Sequence, residues 1–237
     1  MQLITTRNSG AMNNAPIIES IFDPKESILL FDDFRGSIAS ADTANWNITI
    51  GTGTTVVAPG ITVAGGVVTL TPTASVEVSM DTWGIFQLAS STNLYFEASV
   101  AVSTVAASGS VFIGLSSLQG ATTTPVPVIT TAGAMDGTNS GVGFTITTTA
   151  IKGVAGIGAS IGTPVTVGTA AASTYYRLGM KIEGLSRVGF YLNGILQGTI
   201  EGSAYIPTAV LYAAVCSKTA TAAKVTSVDY ITICADR

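Results

Sequence analysis

The 237-residue chain contains no histidine. That absence removes histidine-based triads, imidazole metal ligands and the commonest general base. Cysteine is scarce too: Cys216 and Cys234 are the only two and form no CxxC pair, which excludes a conventional structural zinc site. Charge is the third shortage, since charged residues make up 10% of the chain against 47% hydrophobic, with a mean hydropathy of +0.52. The surface must therefore be built largely from Thr, Ser, Ala, Gly and Asn. Such a surface has little colloidal protection, and we expect much of it to be covered by partners in an assembly.

Positive charge is especially sparse. The net charge is -4, and no Lys or Arg lies between Arg35 and Lys152. No basic stripe can follow a phosphate backbone, which excludes nucleic acid as a partner and disfavours an anionic membrane surface. Long apolar runs are missing as well: the best, Ala204 to Cys216, is too short for a bilayer and contains Pro207. The first residues lack a signal-peptide core, with Glu19 and Asp23 interrupting the best run, so folding in the cytoplasm is expected. A hairpin about Lys218 to Lys224 would hold the two sulfurs apart, and two unpaired, structural thiols are predicted.

What remains is a β pattern. Residues 1–27 are polar, Asn-rich and aperiodic, with Pro16 and Pro24 as punctuation. They read as an extended arm: either a disordered terminus or a segment that docks on a neighbour through Ile17, Ile18, Ile21 and Phe22. Residues 28–237 are period two almost throughout and read as one sandwich domain. Leu94, Phe96, Ala98, Val100 and Val102 alternate with Tyr95, Glu97, Ser99, Ala101 and Ser103. Tyr176, Leu178, Met180 and Ile182 alternate as cleanly with Arg177, Gly179, Lys181 and Glu183. Further strands are predicted near 67–70, 111–115, 165–167, 209–215 and 228–233. Many short strands at this spacing indicate a two-sheet antiparallel jelly roll. The stretch Gln119 to Asn139 reads as a long loop, and the glycines of Gly153 to Gly162 read as close packing rather than a phosphate loop, because no Lys-Ser/Thr follows.

The most legible local feature is GFYLNGILQG, residues 189–198, where Asn193-Gly194 supplies the two positive-φ residues of a type I′ hairpin turn. With a two-residue turn and regular pairing, Leu192 faces Ile195 and Phe190 faces Gln197. Val188, Phe190, Leu192 and Ile195 then share one face, and Tyr191, Leu196 and Ile200 share the other. Both faces are apolar, so the second is expected under a loop or a neighbouring subunit.

Three stretches carry a resemblance: LLFDDFRG at 29–36 with Trp46, YYRLGMKIEGLSRVGFYLNGILQGTI at 175–200, and VDYITI at 228–233. Together they resemble the concanavalin-like or laminin-G-like jelly-roll superfamily, in which the closing strand lies beside the first. The superfamily hosts lectins, glycosidases and virion proteins alike. A family glycosidase would need clustered carboxylates, and only Glu77 and Asp81 share a nominal strand face, without the Glu-x-Asp-x-x-Glu series. They read as solvated carboxylates. Calcium could engage Asp81 or Asp136, but a turn explains Asp136-Gly-Thr-Asn139 without metal. Sugar binding would use Trp83, Tyr95 and Tyr191, while Trp46 and Phe96 read as core. A sparsely charged jelly roll with a polar arm and no catalytic set resembles tailed-phage virion structural proteins. The resemblance implies a non-enzymatic, cofactor-free and metal-free capsid decoration or cement protein on the virion surface. It would be a homotrimer bridging the major capsid protein, with Ile17, Ile18, Ile21, Phe22, Tyr191, Leu196 and Ile200 at interfaces. The alternative is a carbohydrate-binding head or tail appendage.

Overall fold

The computed structural model describes residues 27–34, 46–50, 60–64, 66–72, 77–82, 86–106, 109–118, 129–130, 134–219 and 224–236. Ile17, Ile18, Ile21, Phe22 and Trp83 lie outside them. Among the described residues every regular element is a β-strand. In chain order the first six are β1 (Ser27–Asp32), β2 (Asn47–Ile50), β3 (Gly60–Ala64), β4 (Val67–Thr71), β5 (Val78–Asp81) and β6 (Phe86–Gln87). Then come β7 (Asn93–Val102), β8 (Gly109–Ser116), β9 (Gly141–Ile146), β10 (Ala150–Ile157), β11 (Ser160–Ile161) and β12 (Val165–Thr169). The last are β13 (Tyr176–Glu183), β14 (Arg187–Leu192), β15 (Ile195–Glu201), β16 (Val210–Thr219) and β17 (Thr226–Asp236).

The strands form two antiparallel sheets. Sheet A runs β15-β14-β13-β7-β17-β4-β3, with β1 also on β17; sheet B runs β11-β10-β9-β8-β16-β5-β2, with β12 on β10 and β6 on β16. The closing strand β17 does pair with β1, Leu30 opposite Ile233. Alternation decides which residues enter the core between the sheets. From sheet A come Leu94, Phe96, Leu178, Met180 and Ile233, and from sheet B come Val111, Ile113, Val142, Phe144 and Val215. Trp46 and Phe96 are buried, as their pattern predicts. Asp32 ties Trp46 into place, its carboxylate accepting from Trp46 Nε1 at 2.7 Å and from the Phe34 amide at 2.8 Å.

The sheets pack together where glycines on one leave room for side chains of the other. Gly153 on β10 lies under the Phe190 ring of β14, so that a Cβ there would sit 2.4 Å from Phe190 Cγ. Phe144, opposite Gly153 in the ladder, meets the same ring edge-on at 5.5 Å. Gly198 on β15 receives Val165 of β12 in the same way, its Cβ position 2.7 Å from Val165 Cγ1. Gly153, Gly156 and Gly162 thus do serve close packing, whereas Gly158 takes the positive φ of 53° in a turn.

The central strands of sheet B are buried on both faces, with every residue of β8 and β9 buried. Ile129 and Met135, joined by an isolated bridge, cover Phe112, Val154, Ala214 and Cys216 on the outside of the sheet. Strict alternation does not reveal this second apolar layer, which Ile129 and Met135 supply. At one end of the sandwich Lys224 is fully buried, its ammonium donating to the carbonyls of Gly109 and Thr147, and burial lowers its pKa.

Two features differ from the regular pattern. A bulge between Phe190 and Tyr191 shifts the hairpin: Leu192 still opposes Ile195 and Tyr191 opposes Leu196, but Phe190 opposes Gly198 instead of Gln197. Val188 then opposes Ile200, which turns inward and is only 4% exposed, so Ile200 belongs to the core and not to the outer face with Tyr191 and Leu196. The cysteines are unpaired as predicted, but for another reason. β16 and β17 do not pair with each other; Cys216 lies in sheet B and Cys234 in sheet A.

Gly153→Ala forces a methyl into the Phe190 ring and is expected to destabilise the fold by about 1 to 3 kcal/mol in urea denaturation. An unchanged midpoint would show that the two sheets are not held at this distance by the glycine.

Candidate functional site

The carboxylates singled out for hydrolysis lie on the outward face of sheet B. Glu77 is ion-paired with Lys218, in the register that sets Cys216 opposite Ser79. Asp81 is fully buried, with Asn47 Nδ2 at 3.4 Å from each of its oxygens. The reading of Asp81 as a solvated carboxylate is therefore corrected: the strand edge closes over it at β2. Four residues of extended chain separate the two acids by about 13 Å, beyond the roughly 5 to 9.5 Å that a glycosidase pair spans.

Asp136 is consumed by a turn. Its Oδ1 accepts from the amides of Thr138 and Asn139, each at 2.9 Å, and its Oδ2 accepts from Asn139 Nδ2 at 2.8 Å. Gly137 takes the positive φ of 75° that this turn requires. Among the described residues no group of three His, Cys, Asp or Glu side chains converges on a point that could hold a metal.

The open face of sheet A gathers most of the remaining polar and aromatic chemistry. Register sets Leu196, Tyr191, Gly179, Glu97 and Thr232 in one row across five strands. The next row holds Thr199, Gly189, Lys181, Tyr95 and Cys234. Tyr191 lies along the sheet over Gly189: a Cβ on that glycine would be 3.3 Å from Tyr191 Cε2 and 3.5 Å from its hydroxyl oxygen. Gly179 leaves a shallow notch between Tyr191 and Glu97, and the Glu97 carboxylate accepts from the Tyr230 hydroxyl at 2.6 Å. The pKa of Tyr95 is pushed above the usual phenol range by burial first, then by Tyr191, Glu97 and Glu183. Tyr230 is raised likewise by burial and then by Glu97.

Tyr230 and Glu97 were not singled out from the sequence. The alternation of β7 already puts Glu97 beside Tyr95, but Tyr230 would share the inward face of Val228 under strict alternation. A bulge between Val228 and Tyr230 turns it outward. At the tip of the hairpin two large apolar side chains are exposed, Leu196 at 49% on this face and Ile195 at 67% on the other. The Asn193-Gly194 turn has the positive φ values expected of it, 51° and 84°. Asn193 also braces the neighbouring strand, its Oδ1 accepting from the Arg177 amide at 3.0 Å.

No protein-family model and no curated protein matches the sequence. Solved structures do resemble the fold. The Emp47p carbohydrate recognition domain superposes with a TM-score of 0.61 at 9% identity, over 89% of this chain and 97% of that one. An endo-1,3-beta-glucanase from Streptomyces sioyaensis gives 0.61 at 16% identity, over 90% and 98%. A legume lectin-like domain from Entamoeba histolytica gives 0.57 at 13%, over 84% and 94%. The chain is thus an all-β jelly roll of the lectin-like, concanavalin-like kind. At these identities the likeness establishes the fold alone.

Burial raises the Cys216 thiol from 9.0 to about 12 and raises both tyrosines. An acid whose folded pKa is raised keeps its proton in the native state after the unfolded chain has lost it. The stability it contributes is complete below about pH 9 and is lost as pH rises toward 12. Thermal midpoints should fall from pH 9 upward, and Cys216→Ala should flatten the onset of that fall. An identical decline in the variant would contradict the assignment.

Proposed function

We propose that this chain is a non-enzymatic assembly subunit of a bacteriophage virion, most specifically a capsid decoration or cement protein. It would bind the major capsid protein and copies of itself on the outside of the head. The observation that carries the reading is the hairpin tip, where Ile195 and Leu196 stand in water on a chain with only 10% charged residues. Burying a large aliphatic side chain is worth about 1.5 to 3 kcal/mol, which is a reason for such a tip to be covered in the working assembly. On sheet B, by contrast, Ile129 and Met135 already cover Phe112, Val154, Ala214 and Cys216. The work done is burial of surface between subunits, and no bond is made or broken.

A second reading is favoured by a different observation: Tyr191 lies along the sheet beside the Gly179 notch and the Glu97 carboxylate. An aromatic face next to hydrogen-bonding groups suits a pyranose. Similarity in fold to a carbohydrate recognition domain supports the idea. In this reading the chain is a glycan-binding appendage of head or tail.

Purified protein added to undecorated phage heads should co-sediment with them and occupy regular lattice positions in particle images. Ile195→Asp combined with Leu196→Asp should weaken that association by about tenfold or more. Full occupancy by the double variant would remove the hairpin from the interface. Saturable glycan-array binding that is lost on Tyr191→Ala, with no binding to heads, would favour the appendage instead.

A further inference from the structure

The strand that carries the exposed tip is also an unpaired edge. β15 ends sheet A, and among the described residues no strand lies on its far side. Leu192 and Ile195 flank the two-residue turn as a hydrogen-bonded pair, so the backbone of Leu196 faces the open edge. Natural edges are blunted by Lys, Pro, inward charges or bulges. β15, with the sequence ILQGTIE, has neither Lys nor Pro, and it carries one such device, the bulge at Gln197.

Charge specifies what fits this edge. Arg177 extends over the hairpin turn, its Nη2 3.4 Å from where a Gly194 Cβ would lie. Glu201 stands exposed at the other end of β15. Neither is ion-paired among the described residues: Arg187, opposite Glu201 in the ladder, is taken by Glu183 at 2.5 Å. One edge therefore presents a positive end, an apolar stretch and a negative end. An antiparallel copy of the same edge is its complement.

Resting on the reading of the hairpin as an interaction surface, we propose that β15 pairs antiparallel with β15 of a second copy about a two-fold axis. The two copies of sheet A would join into one continuous sheet. Pairing centred between Gln197 and Gly198 sets Glu201 of each copy opposite Gly194 of the other, beneath Arg177. The same contact removes Ile195 and Leu196 of both hairpins from water. Ile161 of β11, exposed beside the Gly162 that packs on Ile200, flanks the joint. Such a contact is isologous, so every complex it forms holds an even number of chains.

The test is the mass in solution, by sedimentation and light scattering. The wild-type protein should have the mass of an even number of 24.0 kDa chains. Glu201→Arg, which sets two arginines together, should halve it. Adding Arg177→Glu to that variant should restore it, because the pair is re-formed with its signs exchanged. An unchanged thermal midpoint in the single variant verifies that the fold is intact. A wild-type mass of one or three chains would overturn the pairing, as would an even mass that Glu201→Arg does not change. A trimer that still decorates heads would overturn the pairing alone and leave the virion reading in place. A swap-sensitive even oligomer that binds no heads would support the pairing and remove the virion reading.

Discussion

One extra residue in β15 decides which side chains this protein shows. The bulge opposite the Phe190–Tyr191 step reverses the strand's two faces beyond Leu196. Gly198 and Ile200 turn inward, where Gly198 accepts Val165 and Ile200 packs beside Gly162. Leu196, before the bulge, stays outward with Tyr191. With regular pairing Gln197 would face the core beneath Phe190 and Ile200 would face water. A buried amide without a partner costs about 1 to 3 kcal/mol, so the bulge resolves a conflict that the unbroken pattern would create. The bulge in β17 works in the opposite sense, releasing Tyr230 from the core to bind Glu97.

The inward side of this arrangement depends on glycine. Phe190 seats on Gly153 and meets Phe144, and Leu192 reaches over Gly168, a Cβ there lying 2.7 Å from Leu192 Cδ2. The hairpin is thereby fastened to sheet B from below, and its outward residues are displayed from a rigid base. The two sheets differ in consequence. Sheet B has a second apolar layer from Ile129 and Met135, whereas among the described residues no strand lies beyond β15 at the end of sheet A. Recognition is expected at that edge.

Much of the fold was legible because period-two alternation reports burial directly. Leu94 to Val102 and Leu178 to Ile182 needed nothing else, and Asn193-Gly194 fixed its own turn. The misassigned residues have physical causes. Bulges leave no mark on hydrophobicity, so Ile200 and Tyr230 were each placed on the wrong side by the pattern or overlooked. Asp81 looked solvated because nothing local shows that β2 will lie against it through Asn47. The thiols are kept apart by the thickness of the sandwich and not by hairpin register, a matter of topology that spacing cannot supply. Tyr95 and Tyr191 were found as aromatics of a strand face, but their grouping with Glu97 and Tyr230 depends on the order of four strands.

In the proposed assembly β15 is covered, whereas in the isolated subunit it is an open edge. Amide hydrogen exchange at Leu196, measured on dissociated protein and on assembled particles, reads this most directly. Fast exchange in the dissociated subunit and strong protection in the particle are predicted. Equal exchange in both states, with the hairpin tip still in water after assembly, would contradict it.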